Sequence, residues 1–228
     1  MSMRQTEASA WHVVGGWNHV QPGAACRVEL PGAEIALWRT EAGAVHAWDN
    51  RCPHRGMRLS FGIVKGDRLA CRYHGWHYDE GGQCRFIPAH PNLDPPDTLA
   101  VAQHATHEQD EAIWVALGAG PTEPPPPLGT DQPGFCRSIP LPFGADTAAD
   151  VLMRLAGASP VAPRLMQVRP EIGGSNRTVT LAVQPIDETR AAMHVFLDGG
   201  PKADARLAAI RWTVGLRWQI TSETGAAA

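Results

Sequence analysis

Between residues 11 and 117 short apolar runs recur between turn signals. WHVV precedes Gly15-Gly16, CRVEL precedes Pro31-Gly32, EIALWRT precedes Ala42-Gly43, and VHAW follows. Many short alternating runs at this spacing predict a small antiparallel β structure. The pattern continues through residues 69–71, 75–78, the Glu80-Gly81-Gly82 turn, 84–87, 99–104 and 112–117. No amphipathic helix is predicted before residue 118.

The texture then breaks at residues 118–134, GAGPTEPPPPLGTDQPG. Consecutive prolines remove backbone donors and hold an extended polyproline path. The run predicts a linker between a domain at 1–117 and a second at 135–228, with a rigid loop inside one domain as the alternative. In DTAADVLMRLAGA, residues 146–158, the spacing of Val151, Leu152 and Leu155 predicts a helix that ends near Gly157 and Pro160. Residues 176–184 and 190–197 alternate as strands. A second helix is expected over 203–219, with Leu207, Ile210, Val214 and Trp218 as its apolar stripe and Arg206 and Arg217 off it. The C-terminal domain is therefore expected to be α+β, and the terminal GAAA to fray.

Composition narrows the partners. The 228 residues carry a formal charge of −3 and 43% hydrophobic residues, which suits a globular chain and argues against a nucleic-acid surface. The sequence shows neither the apolar run of a signal peptide nor about 18 consecutive apolar residues, so no membrane partner and a soluble, cytoplasmic location are expected. Five cysteines are too few and odd in number for a disulfide framework, which favours metal ligation for some of them.

Residues 52–76, CPHRGMRLSFGIVKGDRLACRYHGW, concentrate that chemistry. Cys52/His54 and Cys71/His74 each sit in a tight loop beside a glycine. Zinc takes Cys2His2, but commonly from like ligands paired in sequence. Two loops that each give one thiolate and one imidazole suit a [2Fe–2S] centre in which two histidines replace two cysteines on one iron. The charge count gives the reason: two ferric ions, two sulfides and two thiolates sum to zero, so such a centre accepts an electron more readily than one held by four thiolates.

The motifs CPHRG and CRYHGW, preceded by IALWRTEAGAVHAWDN and followed by DEGGQCRFIPA, resemble the Rieske domain of the ring-hydroxylating oxygenases, near the vanillate-demethylase type. The resemblance spans roughly residues 11–117. It implies an antiparallel β-sandwich with two cluster-binding loops and one [2Fe–2S] cluster per chain. Cys52 and Cys71 would bind one iron, and His54 and His74 the other. Gly56, Tyr73, Gly75 and Trp76 would surround the cluster, the glycines admitting close backbone approach and the aromatics donating hydrogen bonds or excluding solvent. Membrane-bound Rieske proteins carry a disulfide where this chain has Met57 and Tyr73, so the resemblance implies the oxygenase or soluble-ferredoxin branch. An electron-donating reductase or ferredoxin, an oxygenase partner subunit and a trimer-like ring are the implied partners.

The second domain resembles a shortened helix-grip catalytic domain. Oxygenases of this kind bind a mononuclear iron there through an Asp and two His. With Asp150 aligned to the acid, Met153 and Ala158 fall where the histidines belong, and after His107 the chain has only His194. Mononuclear Fe(II) is not expected. Among the other histidines, His104 and His107 fall on opposite faces of a strand, His77 lies near the cluster motif, and His12, His19, His46, His90 and His194 follow no pattern. Cys26, Cys84 and Cys136 read as small buried residues. The leading expectation is a Rieske protein that carries single electrons. Alternatives are a terminal oxygenase component whose mononuclear iron comes from a partner subunit or unusual ligands, and an assembly or sensory subunit.

Overall fold

A computed structural model describes residues 10–130, 132–199 and 203–224. The N-terminal segment read for a signal peptide and the terminal GAAA lie outside the described residues. Two compact units emerge. One contains residues 10–11, 18–107 and 115–123; the other contains 12–17, 108–114 and the described residues from 124 onward. The strands, in chain order, are β1 (His12–Gly16), β2 (Ala25–Leu30), β3 (Ala33–Arg39), β4 (Val45–Asp49), β5 (Ile63–Lys65), β6 (Arg68–Ala70), β7 (His77–Tyr78), β8 (Cys84–Phe86), β9 (Gln103–Gln109), β10 (Ala112–Ala116), β11 (Pro133–Leu141), β12 (Ser159–Ala162), β13 (Leu165–Val168), β14 (Glu171–Ile172), β15 (Ser175–Asn176), β16 (Val179–Pro185) and β17 (Ala191–Asp198); the helices are α1 (Ala145–Ala156) and α2 (Ala203–Thr224).

In the first unit β9, β4, β3 and β2 follow one another in one antiparallel sheet, and β5, β6, β7 and β8 form another. Both faces of β3 are covered, since Ile35 to Trp38 are all fully buried, and the same holds in β4 at Ala47 and Trp48. Trp38 and Trp48 meet edge-on with ring centroids 4.8 Å apart, and Trp48 meets Tyr78 edge-on at 6.5 Å. Leu59, Leu69, Cys52, Cys71 and Cys84 complete this core. Because Trp48 is completely enclosed, Trp48→Ala is expected to cost about 3–5 kcal/mol, read as a shift in the midpoint of denaturant unfolding.

The structure moves one strand and adds another. Residues 99–102 are not part of β9, which begins at Gln103. Leu99 N–H turns back to Pro96 C=O (2.9 Å), and Val101 N–H is taken by Gly82 C=O (2.8 Å). β5 is only three residues long, too short to show an alternation.

In the second unit β11, β17, β16, β13 and β12 form a five-stranded antiparallel sheet, with β14 and β15 a separate hairpin. The two helices share a core with its apolar side. α1 matches the predicted helix: Ala148, Val151 and Leu152 are buried, and Gly157 ends it in the left-handed region at φ 63°, with its N–H returning to Leu152 C=O. α2 exists but turns the other way. Its buried residues are Ala205, Ala209, Thr213, Leu216 and Ile220, while Leu207, Val214 and Trp218 of the expected stripe are exposed. Small residues win that face because they let the helix approach the sheet closely, which outweighs the longer side chains' individual apolar area. The proline run is anchored rather than loose. Leu128 is fully buried, its N–H bound to Asp110 Oδ2 (3.1 Å) and its carbonyl accepting from Thr180 Oγ1 (2.9 Å). Among the described residues no helix is long and apolar enough to cross a membrane.

Candidate metal centre

Two loops of the first unit carry the four donors. The first follows β4 and the second joins β6 to β7, and their backbones close in the same way. Cys52 N–H donates to Met57 C=O and Gly56 N–H to Cys52 C=O; Cys71 N–H donates to Trp76 C=O and Gly75 N–H to Cys71 C=O, all four bonds at 2.8 Å. Each six-residue loop thus projects its histidine from a ring fastened at both ends. Gly56 and Gly75 sit at φ +71° and +69°, a conformation that disfavours any residue with a Cβ. At Gly75 a Cβ would also stand 3.0 Å from Pro88 Cγ.

The donors sort by type. Cys52 and Cys71 are buried at 2% and 3% exposure, and each thiol acts on the other's charge. His54 is half-buried and His74 exposed, their rings 4.7 Å apart. A lone tetrahedral ion needs its donors about one point; among the described residues no three His, Cys, Asp or Glu side chains meet that condition. A thiol pair on the inside and an imidazole pair on the outside suit a two-iron centre, one iron to each pair.

The electrostatics favour a resident cation. Burial pushes the Cys71 thiol up, the backbone N–H groups of Tyr73 and His74 pull it down, and the Cys52 thiol beside it pushes it up again. Two thiols crowded in an apolar core do not ionise together without positive charge between them. His54 is lowered by desolvation and by the charges of His74 and Arg55, which keeps the imidazole neutral and its lone pair free to ligate.

Two aromatic rings pack on the two imidazoles. Trp76 stacks on His54 with centroids 4.2 Å apart and an interplanar angle of 6°, and Tyr73 stacks on His74 at 3.8 Å and 30°. Each imidazole is thus held by a ring as well as by its loop. One residue was not singled out from the sequence: Tyr78, fully buried, whose hydroxyl lies 3.1 Å from Cys52 Sγ. Burial, and then the bond to Cys52, raise its pKa, so it stays protonated and donates to the sulfur once that is a thiolate. Alternation marks Tyr78 as a core residue, but nothing in the one-dimensional pattern aims its hydroxyl at Cys52. Tyr78→Phe is expected to lower the midpoint potential by roughly 45–90 mV, the one-electron equivalent of about 1–2 kcal/mol for a lost hydrogen bond to a charged sulfur, measured by redox titration.

The remaining candidates are accounted for structurally. His104 bonds Asp49 (3.1 Å) and accepts from Gly118 N–H, while His46 stacks on Trp38 and reaches Glu80. His77 lies edge-on to Phe86. Cys26 and Cys136 are pushed up to about 11 by burial; they are neutral thiols. His194 proves to be tied into the second unit's sheet, between Ser138 Oγ (2.7 Å) and Gln184 Oε1 (2.8 Å). Asp150 and Met153 lie exposed on α1, and Ala158 is buried beyond the helix end.

Both loops lie inside a segment that matches a known family. Residues 10–103 match the family described as the Rieske [2Fe-2S] domain. Over 123 residues, 54% of this chain, it is 39% identical to Oxidoreductase NdmD of Pseudomonas putida and 37% identical to 4beta-methylsterol monooxygenase of Methylococcus capsulatus. Those matches cover only 21% and 33% of the two relatives, so the chain matches a third or less of either. The structure of NdmA from Pseudomonas putida CBB5 superposes with a TM-score of 0.73 at 18% identity, covering 97% of this chain and 81% of that one. At that identity the likeness is one of fold, and it extends through the second unit.

Proposed function

Because residues 10–103 of this chain are a Rieske [2Fe-2S] domain of the kind found in oxygenase systems, we propose that the chain carries single electrons within such a system. Cys52, Cys71, His54 and His74 would hold the cluster, which when bound supplies reversible one-electron chemistry at moderate potential. The single observation that supports this most is the sorting of the donors, thiols inward and imidazoles outward. Burial at Cys52 and Cys71 excludes water from the sulfur side. The stacked Trp76 and Tyr73 orient the imidazoles, and exposure at His74 leaves a short route to a partner's redox group.

The second unit is read as a shortened relative of an oxygenase catalytic domain. The donor of electrons would be a reductase or ferredoxin, and the acceptor an oxygenase partner subunit. Iron and acid-labile sulfide on anaerobically purified protein test the reading. About two irons and two sulfides per chain are expected; one zinc without sulfide overturns it, and three irons per chain with substrate hydroxylation replaces it by a complete oxygenase component.

A further inference from the structure

α2 leaves an apolar edge uncovered. Leu207, Val214 and Trp218 are 50%, 54% and 73% exposed on it, although Ala209, Leu216 and Ile220 fasten the opposite side of the helix into the second unit's core. The uncovered edge is regular. Asp204, Leu207, Arg211, Val214, Trp218 and Thr221 follow one another at steps of three, four, three, four and three residues, the spacing of a coiled-coil seam, and they run for about five turns, or about 26 Å. Beside the seam Gly215 is exposed in mid-helix, where a Cβ would meet nothing within 4 Å. Packing within the chain therefore gives no reason for a residue that weakens a helix. In its C-terminal half the seam borders a groove of about 740 Å³ lined by Pro140, Pro142, Val214 and Trp218.

We propose that this edge is the contact between two copies of the chain, α2 of one lying antiparallel against α2 of the other about a two-fold axis. The steps of three and four read the same in both directions, so an identical helix run in reverse meets the seam position for position. Leu207 then faces the second copy's Trp218 and enters the groove beside it, and Arg211 lays its aliphatic stem over Val214, each contact occurring twice. Ile210 falls opposite Gly215, where the missing side chain admits close approach. The charges agree with that direction: Asp204 lies within one turn of the second copy's Arg217 at both ends, and the helix dipoles oppose each other. Parallel helices would instead set Arg211 against Arg211. A head-to-tail ring makes a different contact, because each chain in it presents two unlike surfaces.

Sedimentation velocity of the full chain at about 50 μM is expected to give twice the sequence mass. Val214→Glu/Trp218→Glu puts two carboxylates into the seam and is expected to raise the dissociation constant at least about a hundredfold, leaving single chains. Charge exchange tests the direction of the helices. Asp204 and Arg217 are thirteen residues apart in sequence, about 20 Å along one helix, and do not meet within a chain. Arg217→Glu should weaken the pair by about fivefold or more, and Asp204→Arg/Arg217→Glu should recover most of that loss, which only a second copy can supply. All four substituted side chains are exposed; circular dichroism checks that each variant is folded, and the charge exchange decides alone if the seam variant is not. A hexamer that the seam variant splits into trimers supports the same contact, as two rings joined through α2. A monomeric wild type overturns the proposal and leaves the seam to a different protein. So does an assembly whose mass the seam variant does not change, or a charge exchange that restores nothing.

Discussion

Cys71→Ala is expected to abolish the visible absorbance of the protein and to reduce its iron and sulfide from about two each per chain to near zero. The buried thiol pair is the half of the site that water does not reach, so no solvent ligand replaces a missing sulfur there. Cys52 would be left as a lone buried thiol beside the Tyr78 hydroxyl, a neutral arrangement with no call for a cation. Cys136→Ala is the matched control. That cysteine is also buried, but in the second unit's core, with its thiol held neutral at a pKa of about 11; its loss should leave metal and sulfide unchanged. Full iron and sulfide in Cys71→Ala would remove Cys71 from the ligand set.

The second large effect is electronic. His74→Cys replaces a neutral ligand by a thiolate and adds one negative charge to both oxidation states, which penalises the reduced state more. The midpoint potential is expected to drop by on the order of 100 mV or more, toward the all-cysteine ferredoxins at about −400 mV. His74 is exposed, so the new sulfur enters without crowding the core, and the variant should still take up iron. A redox titration followed by electron paramagnetic resonance checks it; an unchanged potential with a full cluster would show that His74 is not a ligand.

The local parts of this molecule could be read from its sequence, and the parts set by tertiary packing could not. The two Cys–His loops announced themselves because each is a contiguous segment with its own glycine, closed by hydrogen bonds between residues four and five apart. α1 was legible for the same reason, with its left-handed terminal glycine at the predicted place. β5, β14 and β15 have two or three residues each, too few for a period to register. Hydrophobic spacing points to the wrong face of α2 because Ala205, Ala209 and Thr213 weigh little on a hydrophobicity scale yet are the residues a sheet can approach. The role of Tyr78 does not show in the sequence because the value of its hydroxyl depends on a sulfur 26 residues away.

The matching closure of the two loops has a kinetic consequence. An electron crosses quickly between proteins only when the atoms around donor and acceptor need little displacement to suit the new charge, that is, when the reorganisation energy is small. Here Cys52 and Cys71 each have both backbone groups committed within their own loop at 2.8 Å, and both imidazoles are clamped by stacked rings. Backbone dipoles and ring planes are therefore already set before charge arrives and have little to rearrange when it does. Loosening one clamp, as Trp76→Ala would at His54, should slow electron exchange at unchanged driving force, a cost paid in rate rather than in equilibrium.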